Sequence, residues 1–169
     1  ALPFVDASFD VVVAVHIFHL VDGWERAARE AVRVLRRGGT FLHCWDEHDD
    51  AILNEVTQTW MQMVEDLGGS AQRVGTENPT GVSSWLRAQG LPVEPISLVS
   101  WETTATPRAA LERITSRLWS RTWNVPDDIF HASTQRLTAW ALDRFGVEID
   151  TPYTRVNRFM GHVTHIPER

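Results

Sequence analysis

Residues 1–39 read ALPFVDASFDVVVAVHIFHLVDGWERAAREAVRVLRRGG, and the order of features within them decides the fold. Asp6, Ala7 and Ser8 make a polar turn ahead of Phe9-Asp10-Val11-Val12-Val13-Ala14-Val15, a short, β-branched run that is continuous rather than alternating. A strand of that kind is expected to be buried on both faces, the parallel-sheet pattern. After the rim residues His16 to Val21, a helix is predicted from about Gly23 to Arg36, with Asp22 and Glu25 as an aspartate version of the capping box. Trp24, Ala27, Ala28, Ala31, Val34 and Leu35 form its apolar stripe. Its wet face carries i,i+4 opposite charges at Glu25/Arg29 and Arg26/Glu30. Gly38 and Gly39 stop the helix, and Thr40 to Trp45 reads as the next strand. Strand, crossover helix and strand in so few residues predict a right-handed parallel βαβ unit.

Downstream, Asp46 to Asp50 reads as an acidic break before a second helix with Leu53, Val56, Trp60, Met63 and Leu67 on one face, stopped by Gly68-Gly69. Ser70 to Pro79 is a polar loop, Val82 to Gln89 a short helix ended by Gly90, and Val93 to Trp101 a strand. Thr106-Pro107 is an N-cap and first-turn pair for a helix carrying Leu111, Ile114 and Leu118. Pro126 opens another, with Phe130, Leu137, Trp140, Ala141 and Phe145, before a last extended segment from about Tyr153 to Ile166. The two helices between Thr106 and Gly146 read as a helical insertion, a candidate lid or acceptor wall, inside one domain spanning 1–169.

A chain of 169 residues, 43% apolar and with a net charge of -6, is long enough for one real core and unsuited to general nucleic-acid or anionic-membrane binding. Every cationic side chain other than histidine is an arginine, because lysine is absent. Cys44 is the only cysteine, so no intrachain disulfide is possible and a reducing cytoplasm is the simplest setting. No apolar run approaches the roughly 20 residues that span a bilayer.

In an open parallel sheet, ligands bind beyond the carboxyl ends of the strands. Two such ends are legible: Val15, His16, Ile17, Phe18 and His19, and then Cys44, Trp45, Asp46, Glu47 and His48. His16 stands at the first strand end and is the candidate for cofactor or acceptor contact, whereas His19 reads as a packing or loop-tethering residue. His16-x-x-His19 has no third ligand at a defined spacing, and no metal is expected. Asp49 and Asp50 read as a solvated helix N-terminus, and Cys44 as a buried small hydrophobe. Trp119 and Trp123 flank Arg121, a grouping that reads as packing of the insertion rather than a planar-substrate pocket.

The segment Leu2-Pro3-Phe4, Asp6, Ser8-Phe9-Asp10, His19, Arg33-Val34-Leu35 and Gly38-Gly39 resembles the second half of the class I S-adenosylmethionine-dependent methyltransferases. It looks most like the type 11 group that includes the ubiquinone/menaquinone-type C-methyltransferases. The close resemblance covers about the first quarter of the chain. It implies an α/β fold, a partial Rossmann-like sheet of strands four to seven with the last strand antiparallel and a helical insertion. It also implies S-adenosylmethionine as cofactor, a small-molecule acceptor, and Val15, His16 and Ile17 as cofactor contacts made largely through backbone. His16, Asp46 and His48 are then the candidate catalytic residues, needed as bases only where the acceptor must lose a proton. The family holds most of the cofactor with a glycine-rich loop and an acidic residue expected upstream of Ala1, and no G-x-G-x-G occurs here. The isolated chain is therefore expected to be an incomplete fragment that does not bind S-adenosylmethionine at micromolar affinity. The alternative is a non-catalytic α/β binding module that uses the helical insertion. A nicotinamide-dependent reductase has no Tyr-x-x-x-Lys pair to draw on.

Overall fold

A computed structural model describes residues 1–168. The elements run β1 (Phe9–Val15), α1 (Trp24–Val34), β2 (Leu35–Asp49), α2 (Ala51–Asp66), α3 (Pro79–Ala88), β3 (Val93–Ala105), α4 (Pro107–Thr115), α5 (Asp127–Phe145) and β4 (Tyr153–His165). Short 3-10 turns lie at Phe18–Leu20, Ser120–Thr122 and Gly146–Asp150. The strands form one mixed sheet in the order β1-β2-β4-β3, and β1 pairs with β2 in parallel, as the βαβ reading requires. Residues 1–47, 74–100 and 158–168 form one compact unit, and 48–73 with 101–157 form a second.

In the first unit, α1 lays Ala28, Ala31 and Val34 inward, and Ala28 and Ala31 join Phe18, Leu35, Phe41 and, from α3, Val82 and Leu86 in one apolar cluster. The helix entrance differs from the sequence reading. Gly23 is the N-cap at φ 64, with no side-chain cap, so Asp22 lies one residue too early to reach the free amides and the capping box does not form. The wet face also pairs differently. Arg33 donates to both oxygens of Glu30 at 2.8 Å, and Arg29 lies 5.7 Å over the Trp85 ring. Arg33 further donates to Asp6 Oδ1 (2.5 Å) and to the Phe4 and Leu2 carbonyls, while Leu2 N–H donates to Glu30. These bonds hold the Glu30 carboxyl down at about 2, the guanidinium first and the Leu2 amide second. The turn at residues 2–6 is thus tied to the last turn of α1 by one arginine.

The helix ends at Val34 rather than Arg36, and β2 begins at once. Two steps along β1, Phe9 to Val11, match five along β2, Leu35 to Thr40, so the residues before Thr40 bulge out of the ladder. Gly38 takes φ 71 within the bulge. A Cβ on the buried Gly39 would stand 2.8 Å from the Arg36 carbonyl oxygen and 3.1 Å from that of Asp10. At its other end β2 continues through Asp46 to Asp49, so the expected acidic break is strand, and only Asp50 leaves the ladder. β1 is buried on one face alone: Val12 and Ala14 pack on the apolar cluster, whereas Val11, Val13 and Val15 stand half-exposed on the other. The two-sided burial expected from the sequence does not hold, because α1 and α3 cover one face only.

By strand alternation, His43 and Trp45 share the face of Phe41. His43 is 4% exposed, its ring 5.1 Å from Phe18 and 5.2 Å from Trp45. Trp45 lies 4.7 Å from the ring of His162 on β4, itself 8% exposed. Neither Nδ1 has a hydrogen-bond partner. Burial, aided by His162 and then His16, pushes the His43 imidazole down to about 4, and burial lowers His162 as well.

The second unit is helical around Trp60, fully buried on α2 with Val56 and Val64, its Nε1 donating to Ser133 Oγ on α5 (3.1 Å). Leu111 and Ile114 of α4 and Phe130, Leu137 and Ala141 of α5 complete that core. Thr106 Oγ1 caps α4 through the Ala109 amide (3.1 Å), as expected. The helix stops at Thr115, however, and Arg117 turns left-handed at φ 58, leaving Leu118 80% exposed rather than on the apolar stripe. Arg121 lies 5.7 Å over Trp119 and donates to the Ala71 carbonyl, and Trp123 Nε1 donates to that of Arg117. Trp119 packs against the Trp60 core, whereas Trp123 stands 53% exposed.

Two outcomes follow from the first unit. Gly39→Ala forces backbone apart in the bulge and is expected to cost about 1–3 kcal/mol in urea unfolding, with Gly38 left as it is; an unchanged midpoint would show that the bulge yields freely. For His43, the unfolded imidazole takes its proton near pH 6.5 and the folded one only near 4, so the unfolded state binds more protons between these values. Stability therefore falls as pH drops through that window. Between pH 7 and 5 the His43 contribution is on the order of 2 kcal/mol, read as the difference between wild type and His43→Phe. Equal losses in the two proteins would assign the acid sensitivity elsewhere.

Candidate functional site

The parallel register sets Val15 of β1 opposite Cys44 of β2, and the next residue extends the pairing with a bond from His16 N–H to the Cys44 carbonyl (3.1 Å). His16 then leaves the strand at φ 50. A left-handed histidine costs on the order of 1–3 kcal/mol and persists only where its surroundings fix it. Here its Nε2 lies 3.2 Å from the Asp46 amide nitrogen and 3.2 Å from Asp46 Oδ2. The two contacts make opposite demands on one atom. A neutral Nε2 accepts from the amide, and a protonated Nε2 donates to the carboxylate. The neutral arrangement sits beside a ready partner for the proton. Both side chains are more than a third exposed, so the pair contributes little stability and is open to solvent.

The rim loop after His16 is pinned from below. Phe18 is 3% exposed, among Trp24, Phe41 and His43. Its carbonyl accepts from Thr76 N–H (3.1 Å), and that of His19 from Gly75 N–H (3.2 Å). A Cβ on Gly75 would overlap the Phe18 carbonyl oxygen, so the two loops approach where only glycine fits. His19 tethers the loop through its backbone, and Ile17 stands 41% exposed beside it. Cys44 is buried, and burial pushes its thiol up, away from nucleophilic chemistry.

His48, the third candidate base, belongs to the second unit and has other neighbours. Its Nδ1 lies 2.8 Å from Asn157 Oδ1. Asn157, 2% exposed on β4, reaches Thr103 Oγ1 (2.9 Å) and the Trp101 carbonyl (3.4 Å) with its amide nitrogen. Arg155 Nε donates to the same Thr103 oxygen (3.0 Å), and its Nη1 to Asp50 Oδ2 (3.3 Å). Asp50 Oδ1 accepts from Leu53 N–H (2.8 Å), which makes it the N-cap of α2, and from the Tyr153 hydroxyl (2.8 Å). Burial, then the Asp50 carboxylate, push the Tyr153 phenol up.

The structure therefore brings His16 and Asp46 together and gives His48 its own network. Thr103, Tyr153, Arg155 and Asn157 were not singled out from the sequence. Thr103 lies 55 residues from His48, and the other three lie about a hundred residues away on an extended segment too ragged to assign faces, so no local spacing marks them.

Residues 1–43 match the model of a methyltransferase domain family. No curated protein sequence matches the chain. Among solved structures, the YcgJ protein of Bacillus subtilis is 19% identical with a TM-score of 0.52, over 100% of this chain and 68% of its own. A candidate methyltransferase from Bacillus halodurans is 18% identical with a TM-score of 0.51, over 99% of this chain and 74% of its own. At these identities the likeness concerns the fold. The chain shares the fold of these structures, and residues 1–43 carry the sequence pattern of a methyltransferase domain.

Proposed function

We propose that this chain takes part in methyl transfer from S-adenosylmethionine to a small-molecule acceptor. The observation that carries the reading is the coincidence of the methyltransferase-domain match over residues 1–43 with the parallel β1-α1-β2 unit. Val15 and Ile17, both exposed at the carboxyl end of β1, fit one apolar wall of a cofactor site, and His16 lies between them. S-adenosylmethionine, when bound, supplies an electrophilic methyl group on a sulfonium. This chain's part is to hold the reactants in line and to receive a proton where the acceptor has one to lose.

For an alcohol, phenol or thiol acceptor, His16 Nε2 would take the proton that the acceptor loses, giving up the Asp46 amide as its donor. Asp46 Oδ2, 3.2 Å away, stabilises the imidazolium that results. His48 is the alternative proton acceptor.

The test is label transfer from methyl-labelled S-adenosylmethionine to a panel of thiol, phenol and amine acceptors by the intact gene product. His16→Ala is expected to lower kcat about 10²–10⁴-fold with a hydroxyl or thiol acceptor. Asp46→Asn should lower it less, and the KM for S-adenosylmethionine should stay within a few fold. Unchanged rates in His16→Ala, Asp46→Ala and His48→Ala alike would remove the base role. Failure to label any acceptor class would remove the methyltransferase reading itself.

A further inference from the structure

We infer that Asn157 is a positioning residue that holds His48 as its Nδ1–H tautomer, leaving Nε2 as the proton-accepting atom. The Trp101 carbonyl has no proton to give, so the Asn157 atom that approaches it must be the amide nitrogen. Thr103 Oγ1 receives Arg155 Nε, a group that only donates, and it receives the same Asn157 nitrogen as a second donor. The Trp101 contact therefore turns Oδ1 toward His48, and the Thr103 hydroxyl, which can accept as well as donate, accommodates that orientation. An amide oxygen only accepts, so His48 Nδ1 must carry a hydrogen to meet it at 2.8 Å. In a neutral imidazole the other nitrogen then holds the lone pair.

The anchor is firm because it is buried. Asn157 is 2% exposed, and turning its amide over would set its oxygen against the Trp101 carbonyl oxygen. Arg155 locks the far side through Asp50, itself 2% exposed and held by Leu53 N–H and the Tyr153 hydroxyl. His48 is only half-buried, so its ring can meet a ligand while its orientation is set from behind. A base must offer its lone pair in a defined direction, and an imidazole free to exchange tautomers does so only part of the time. The arrangement deepens the proposed function and rests on it only for the identity of the proton donor.

The test needs neither cofactor nor acceptor. Long-range proton–nitrogen correlation spectra of the full chain, with histidine labelled in both ring nitrogens, read the tautomer of His48 directly at pH 9, assigned by loss of its signals in His48→Gln. Wild type should show a protonated Nδ1 and an unprotonated Nε2. Asn157→Asp keeps an oxygen facing the ring and should retain that signature, whereas Asn157→Ala should lose it and give a mixture. An Nε2–H tautomer in wild type would overturn the inference, as would a retained signature in a folded Asn157→Ala protein. If Asn157→Ala does not fold, the wild-type spectrum and the Asn157→Asp comparison still decide. A failed methyl-transfer assay bears on the proposed function and leaves this readout standing, and a failed tautomer readout leaves the methyl-transfer assay standing.

Discussion

The parallel pairing of β1 with β2 is the constraint on which the rim depends. Because Val15 stands opposite Cys44, the amide after Val15 reaches the Cys44 carbonyl, and Asp46 arrives beside the His16 ring. A slip of one residue would turn Asp46 to the other face of the sheet and leave His16 without either of its Asp46 contacts. Two devices oppose that slip. The bulge before Thr40 is closed by Gly39, whose missing Cβ lets the Arg36 and Asp10 carbonyls approach. Upstream, Arg33 binds the turn at residues 2–6 to α1 while the Ala7 and Ser8 amides donate to the Arg33 and Val34 carbonyls. The segment that enters β1 is thereby fixed to the helix that feeds β2.

Three histidines near this pairing show how environment rather than residue type assigns chemistry. His16 is exposed, left-handed and set against both an amide and a carboxylate, so it has a partner in either protonation state. His43 is sealed between Phe18 and Trp45 with an unpartnered Nδ1, and burial keeps it neutral down to about pH 4. It resists the proton that a base must accept, and its part is in packing. His48 is half-buried with one nitrogen engaged, which leaves the other defined.

How much of this could be read in the chain depends on the distance over which each feature is encoded. β1, the core face of α1, the Thr106 cap and the central place of Trp60 follow from local spacing, and the structure has them where periodicity puts them. The capping box at Asp22 fails because one glycine with positive φ moves the helix start. Leu118 leaves its helix for a similar reason, when Arg117 turns left-handed. The acidic run from Asp46 to Asp49 is absorbed into β2 because strand partners compensate its low propensity, which no window over the segment contains. His16, Asp46 and His48 were legible as strand-end residues of chemical type. Asn157 and Thr103 were not, since an asparagine and a threonine on ordinary strands gain their meaning only from the residue the fold sets opposite.

The five residues from Asp46 to Asp50 then divide by the direction of their hydrogen bonds. Asp50 is buried, and its oxygens receive an amide, a phenol and a guanidinium, so its charge is compensated on every recorded side. Its role is to cap α2 and anchor Arg155. Asp46 is a third exposed and faces an imidazole rather than a permanent cation. That imidazole can accept from the Asp46 amide or donate to the Asp46 carboxylate. Two aspartates four residues apart thus hold opposite offices. The one that meets an arginine fixes structure, and the one that meets a histidine lies beside a ring that can accept or donate, which is why the proposed base role falls on His16 beside Asp46 rather than on the more deeply buried acid.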